Sequence, residues 1–151
     1  MQHALTYSLI AHLRDNVTQL NDVVWMYDGV SLTGRAKPFA TVEQMPVESA
    51  NLSKERLYYG ETYHFQIGLF ASNASERSRL EETMLTALRE PNMTLYDTSG
   101  TAPSPVGVFY CDVDAVTPMT ADDASSDTNK HRLYFDVSVT GDRTNGGELR
   151  Q

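Results

Sequence analysis

The sequence predicts an α+β domain: an antiparallel sheet with two helices packed on one face, in the order α-βββ-α-βββ. Two segments carry apolar residues at helical spacing, and six others carry short β-rich or alternating patterns. These strand patterns are gathered around the two helices, which indicates an antiparallel sheet. The chain has 151 residues, enough for one domain with a sizeable core.

The first helix is predicted over residues 4–20. Apolar residues recur there every three or four positions, which is the spacing of one helix face. They are Leu9, Ile10, Leu13, Val17 and Leu20. Two short strands are predicted next, at 23–27 and 39–44, and the turn signal Asp28-Gly29 closes the first of them.

Residues 45–56 read MPVESANLSKER and are predicted to form a long mobile loop, because they are polar and lack periodicity. Loops of this length inside compact domains are uncommon and are usually either functional or disordered. In an assembly protein such a loop would become ordered on contact with a neighbour. A merely tolerated insertion is the alternative.

The strongest strand pattern lies at 57–70, where apolar residues alternate with mixed ones. The apolar face consists of Tyr63, Phe65, Ile67 and Leu69. The second helix is predicted at 76–89, after the capping residues of 71–75 and before Pro91, which stops it. Its buried stripe consists of Leu80, Met84, Ala87 and Leu88.

The last third of the chain is β-rich. Strands are predicted at 93–96, 106–116 and 130–140. The last two are joined by 118–129, an acidic connection that contains Asp122, Asp123 and Asp127. We expect Gly141 to end the final strand, so that 1–141 is the single domain and 142–151 a flexible polar tail.

The charge balance disfavours tight nucleic-acid binding. The net charge is −8, and the 12 basic residues are scattered among 20 acidic ones, whereas phosphate neutralisation needs clustered Lys and Arg. An acidic wall that repels passing DNA is physically sensible. No apolar run approaches the roughly 20 residues that cross a bilayer, and the N-terminus lacks the pattern of a secretory signal.

Catalytic signals are weak. Cys111, the only cysteine, lies in the apolar run 106–111, which favours a buried structural thiol over a nucleophile. Asp112 and Asp114 flank Val113 on one face of a strand; such a pair binds cations or acts as acid and base, but a solvated face is the commoner outcome. The histidines lack zinc-site spacing, and no phosphate-binding or nucleophile-elbow motif occurs. We predict no enzymatic activity, cofactor or metal.

Five aromatic residues lie on strand-like segments, and aromatic residues are enriched in interface hot spots. They are Trp25, Tyr27, Tyr58, Tyr59 and Tyr63. We expect Trp25 and Tyr63 to be mainly core residues. Tyr58 and Tyr59 adjoin the polar loop and are therefore the better interface candidates.

The centre of the chain resembles the tail-completion proteins of long-tailed bacteriophages, also called head–tail joining or tail-terminator proteins. The resemblance rests on residues 63–76, YHFQIGLFASNASE, which run into the second helix. The family shares a leading amphipathic helix, this strand, small-residue cap and helix, and a closing strand similar to RLYFDVSVTG at 132–141. Lys37-Pro38-Phe39 resembles the start of the family's second strand. The resemblance covers order and pattern over 4–141.

This resemblance implies a structural virion protein, assembled in the host cytoplasm, that lies at the head–tail interface. It implies a hexameric ring that caps the finished tail tube, contacts the tube protein and the head connector, and lets DNA pass without specific binding. The loops 45–56 and 118–129 would project toward partners or the channel. Their interface candidates are Glu48, Lys54, Glu55, Arg56, Asp122 and Asp123.

Two alternatives remain open. One is another tail-tube or neck component built on the same small α+β domain. The other is a small α+β ligand-binding module or enzyme with a pocket between the helices and the sheet.

An open sheet also has edges that need a partner, and a closed ring of neighbouring subunits is one way to provide it.

Overall fold

Two helices and a mostly antiparallel sheet make up the described part of the chain, which confirms the α+β class. The computed structural model describes residues 1–52, 58–119, 127–144 and 149–151, with only the backbone described at 58–59 and 142–144. In chain order the elements are α1 (Gln2–Asn16), β1 (Val23–Met26), β2 (Phe39–Gln44), β3 (Glu48–Asn51), β4 (Tyr58–Phe70), α2 (Ala74–Leu88), β5 (Met93–Asp97), β6 (Ser104–Phe109), β7 (Asp112–Pro118), β8 (Arg132–Thr144) and β9 (Leu149–Arg150).

The central sheet has the strand order β1-β2-β4-β8-β7. Neighbouring strands are antiparallel except β1 and β2, which run parallel. Strand β3 pairs with the part of β4 beyond the end of β2, and β9 pairs with the end of β8. Strands β5 and β6 form a separate hairpin. The outer strands β1 and β7 therefore lie at opposite ends of the sheet.

One face of the sheet carries both helices, as the alternating sequence patterns predicted. The buried residues of the two central strands on this face are Tyr63, Phe65, Ile67, Leu69, Leu133, Phe135, Val137 and Val139. They share one hydrophobic core with apolar residues of α1 and α2. Burial of each such side chain contributes about 1.5–3 kcal/mol, so this face determines where the helices pack.

The second helix begins at a side-chain cap. Asn73 Oδ1 accepts a hydrogen bond from the Glu76 N–H at 2.8 Å, and Glu76 Oε1 accepts one from the Ser72 N–H at 2.9 Å. The two side chains satisfy N–H groups that have no partner inside the helix. The cap therefore fixes where β4 turns into α2.

The opposite face of the sheet carries a small aromatic cluster. The rings of Phe39 and Phe70 stack with centroids 4.5 Å apart, and Val24 packs beside them. The Arg132 guanidinium lies 4.5 Å from the centre of the Phe70 ring and 4.2 Å from that of Tyr134. The rest of this face carries mostly polar side chains, so it differs in character from the helix-covered face.

The predicted mobile loop at 45–56 is wrong in part, because Glu48–Asn51 forms β3. Strand β2 ends opposite Phe65, which leaves the edge of β4 free from Thr62 down to Tyr59, and β3 fills it. All four side chains of β3 are exposed. The strand is held by backbone pairing, so its sequence has no apolar pattern from which it could be predicted.

Other predicted boundaries also changed. The first helix ends at Asn16 instead of Leu20, because Val17 leaves helical geometry at φ −118° while its side chain stays in the core. The predicted strand at 106–116 is two strands, β6 and β7. Its alternation continues across the break, since Phe109 and Cys111 are both buried.

The prediction that Gly141 ends the final strand is wrong. Strand β8 continues to Thr144, and β9 pairs with it where a flexible tail was expected. A Cβ at position 141 would lie 2.8 Å from the Arg150 carbonyl oxygen. This glycine therefore permits a close approach of β9 and does not mark a turn.

A test of the packing between β2 and β4 is Gly68→Ala. The added Cβ would lie 2.6 Å from Thr41 Oγ1 and 3.0 Å from Phe70 Cε2, and Thr41 is itself buried. We expect a loss of about 1–3 kcal/mol in the free energy of unfolding, measured with urea. Gly107→Ala is the control, since nothing lies within 4 Å of its added Cβ. Equal stability of both variants would contradict the described packing.

Candidate interaction surfaces

The interface candidate Glu48 lies on β3 and is exposed. Its Oε1 is 3.7 Å from His64 Nε2 on the neighbouring strand, and the Glu48 side chain is 78% exposed. Such an exposed contact contributes little to stability, about 0–1 kcal/mol at most. Glu48 is thus available to a partner without disturbing the core.

The candidates Tyr58 and Tyr59 lie at the start of β4, where the strand has neighbours on both edges. Tyr58 pairs with Thr144, and Tyr59 pairs with Arg143 on one side and Asn51 on the other. Their backbones are therefore set within the sheet. Their side chains lie outside the described part of the structure, as do the candidates Lys54, Glu55, Arg56, Asp122 and Asp123.

A charged cluster lies along the outer edge of β1. In a parallel pair, only every second residue of a strand forms backbone hydrogen bonds with the neighbouring strand. Here the Ala40 N–H of β2 donates to the carbonyl oxygen of Asp22, the residue before Val23. The Val23 backbone therefore faces away from β2: its N–H donates to Asp22 Oδ1 at 2.8 Å, and its C=O accepts from Arg14 Nη2 at 2.9 Å. Asp22 lies between Arg14 and Arg35, 3.4 Å from each. We call these three side chains the basic edge, since two guanidinium groups outnumber one carboxylate.

The other outer strand, β7, carries two exposed carboxylates, and we call Asp112 and Asp114 the acidic edge. The only described strand that pairs with β7 is β8. The register shifts between Val113 and Ala115, so Asp114 is the extra residue of a β-bulge. Both side chains are exposed, in agreement with the solvated strand face that the sequence favoured.

Strand β6 exposes an apolar face just before β7. Val106 and Val108 are each 60% exposed, and Tyr110 is 44% exposed. The Gln151 side-chain amide bonds to both backbone groups of Tyr110, accepting from the N–H and donating to the C=O at 2.9 Å each. An apolar strip therefore leads along the chain into the acidic edge.

A groove of about 540 Å³ lies beside the basic edge. Three aromatic residues line it, one each from α1, β1 and β5: Tyr7, Trp25 and Tyr96. We call it the aromatic groove. Trp25 packs against the core as expected while it also lines the groove, and Tyr63 is buried as predicted. Arg14 belongs to both the groove and the basic edge, so the two form one surface.

Sequence reasoning missed the basic edge and the aromatic groove. The three charged residues of the basic edge come from a helix, the residue just before β1 and a loop, and no sequence spacing connects them. The groove likewise joins Tyr7 and Tyr96, which are far apart in the chain. The exposed valines of β6 belong to a β-rich pattern in the sequence, but this pattern does not show which face of the strand is buried.

No group of three or more His, Cys, Asp or Glu side chains within the described ranges is arranged to hold a metal ion. Neither of the helices is long and apolar enough to cross a membrane, over the residues that are described. Neither a protein-family model nor a curated protein sequence matches this chain.

Cys111 is buried, which confirms the structural thiol that the sequence favoured. Its Sγ lies 3.2 Å from the Leu88 carbonyl oxygen and donates to it. Burial, together with the charges of Asp112 and Asp114, raises the pKa of the thiol from 9.0 to about 12. The thiol is therefore protonated and inaccessible in the folded protein at neutral pH.

We expect Cys111 to resist labelling by a disulfide reagent at pH 8 in the native protein and to react fully in denaturant. Because the folded pKa is raised, the thiol contributes stability that is complete below about pH 9 and is lost as the pH rises toward 12. Cys111→Ser removes this titration, so its unfolding free energy should fall less steeply over that window. Rapid native labelling would show that the thiol is accessible.

Proposed function

We propose that this protein is a structural virion component that caps the completed tail tube of a long-tailed phage. In this role it joins the tube to the head connector as a ring around a DNA channel. The observation that carries the proposal is the central sheet, whose outer strands β1 and β7 lie at opposite ends and pair with no further described strand.

A closed ring repeats one heterologous contact, so each subunit needs two different surfaces on opposite sides. The order β1-β2-β4-β8-β7 provides two such sides. They are separated by four strand spacings, roughly 19 Å at about 4.8 Å each. An open sheet edge can pair with other chains and is therefore aggregation-prone, which favours a role in which neighbours cover it.

The arrangement of elements supports the resemblance on which the role was predicted. The chain has a leading helix α1, a strand β4 that turns through the Asn73 cap into α2, and a closing strand β8. These are the elements that the tail-completion proteins are expected to share. The net charge of −8 also suits a channel through which DNA slides, since few clustered cations would hold its phosphates.

Another tail-tube or neck component would use the same two-sided sheet. A ligand-binding module is the second candidate, because the aromatic groove of about 540 Å³ falls in the size range of small-molecule sites. In that case a soluble ligand would bind the groove, and the edges of the sheet would play no part in function.

The role is tested by deleting the gene from the phage that encodes it. We expect DNA-filled heads and unjoined, sometimes overlong tails in electron micrographs, because tube growth would lack its stop. The gene supplied from a plasmid should restore joined particles. Loss of all tails would instead indicate a tube component, and normal infectious particles would rule out the proposed role.

The tyrosine candidates can be tested in the same assay. Tyr58→Asp with Tyr59→Asp should prevent head–tail joining if these side chains are anchors, because a charge is costly to bury in an interface. Tyr58→Phe with Tyr59→Phe is the matched control that keeps both rings. If the Asp variant still joins heads to tails, these residues are not interface anchors.

A further inference from the structure

We propose that a second copy of this chain docks its acidic edge, Asp112 and Asp114, on the basic edge formed by Arg14, Asp22 and Arg35. The inference rests on the proposed function and names the subunit contact within it. Since the two edges lie at opposite ends of one sheet, they cannot meet within one molecule. Identical copies can repeat the contact head to tail.

The basic edge has unused positive charge. Arg14 and Arg35 share the single carboxylate of Asp22 at 3.4 Å, which is long for a charge-assisted hydrogen bond. The side chains of Arg14 and Arg35 are 58% and 35% exposed. A second carboxylate can therefore approach both guanidinium groups from solvent and share their charge with Asp22.

The acidic edge presents the matching charge. Asp112 and Asp114 are exposed, and neither makes an ion pair with another described residue. The bulge at Asp114 interrupts the regular pairing with β8, and bulges commonly redirect a side chain. The two carboxylates thus lie at the opposite end of the sheet from the basic edge.

Apolar surface accompanies the charge on both sides. Beside the basic edge lies the aromatic groove, which Arg14 and Trp25 both line. Before the acidic edge, Val108 of β6 and Tyr110, which follows β6, are both exposed apolar residues. Exposed ion pairs contribute little individually, so burial of these side chains in the groove would supply most of the affinity, and the charges would set the orientation.

The contact is tested by a charge swap in the full-length protein. One variant carries Arg14→Glu and Arg35→Glu, and the other carries Asp112→Arg and Asp114→Arg. Each variant alone brings like charges together, so we expect its self-association, measured by sedimentation from micromolar to about 1 mM, to weaken roughly tenfold or more. In an equal mixture each contact between the two variants joins opposite charges again, so the variants should associate in alternation.

The control reverses two charges away from both edges, Arg77→Glu with Arg79→Glu on α2, and should associate like the unaltered protein. Recovery in the mixture also shows that both variants fold, and circular dichroism melting confirms it for each alone. The inference is overturned if the unaltered protein stays monomeric at about 1 mM, if the mixture does not recover, or if the control weakens equally.

This test separates the contact from the role. If the swap behaves as expected but the gene deletion leaves normal particles, the contact stands and the tail function fails. If the deletion gives unjoined tails but the swap variants associate normally, the function stands and the contact lies elsewhere on the chain.

Discussion

Strands β4 and β8 run side by side over their whole length, from Tyr58 opposite Thr144 to Phe70 opposite Arg132. From Tyr63 to Leu69 and from Leu133 to Val139 every second residue points into the core, and Phe65 lies opposite Val137. A slip of one residue would move both apolar sets to the other face, so burial fixes the register strongly. The helices and both ends of the sheet take their positions from this pair.

The limits of sequence reasoning follow from what each element depends on. Strands β2 and β4 and helix α2 were predicted nearly to the residue, because their side chains bury a regular apolar pattern. Strand β3 was not predicted, because it exposes every side chain and is held only by backbone pairing. The break between β6 and β7 was also not predicted. The apolar alternation continues through Phe109 and Cys111, although the two strands pair with different partners.

The candidate surfaces were less predictable than the core. Glu48 is exposed as an interface residue must be, but nothing in its sequence neighbourhood pointed to β3. The basic edge arises because Arg14 on α1 reaches the Val23 carbonyl, a contact set by how the helix packs on the sheet. Charged side chains that packing brings together from different elements have no characteristic spacing in the sequence. Apolar residues on one face of a helix or strand do have such a spacing, so they can be recognised.

The Arg132 guanidinium has a consequence for the shape of any assembly. It lies over the rings of Phe70 and Tyr134, on the side of the sheet away from the helices. A neighbour that approached this side would have to remove water from the partly buried guanidinium, because the Phe70 ring beneath it is already fully covered. If the proposed ring forms, this charge disfavours face-to-face stacking of two sheets.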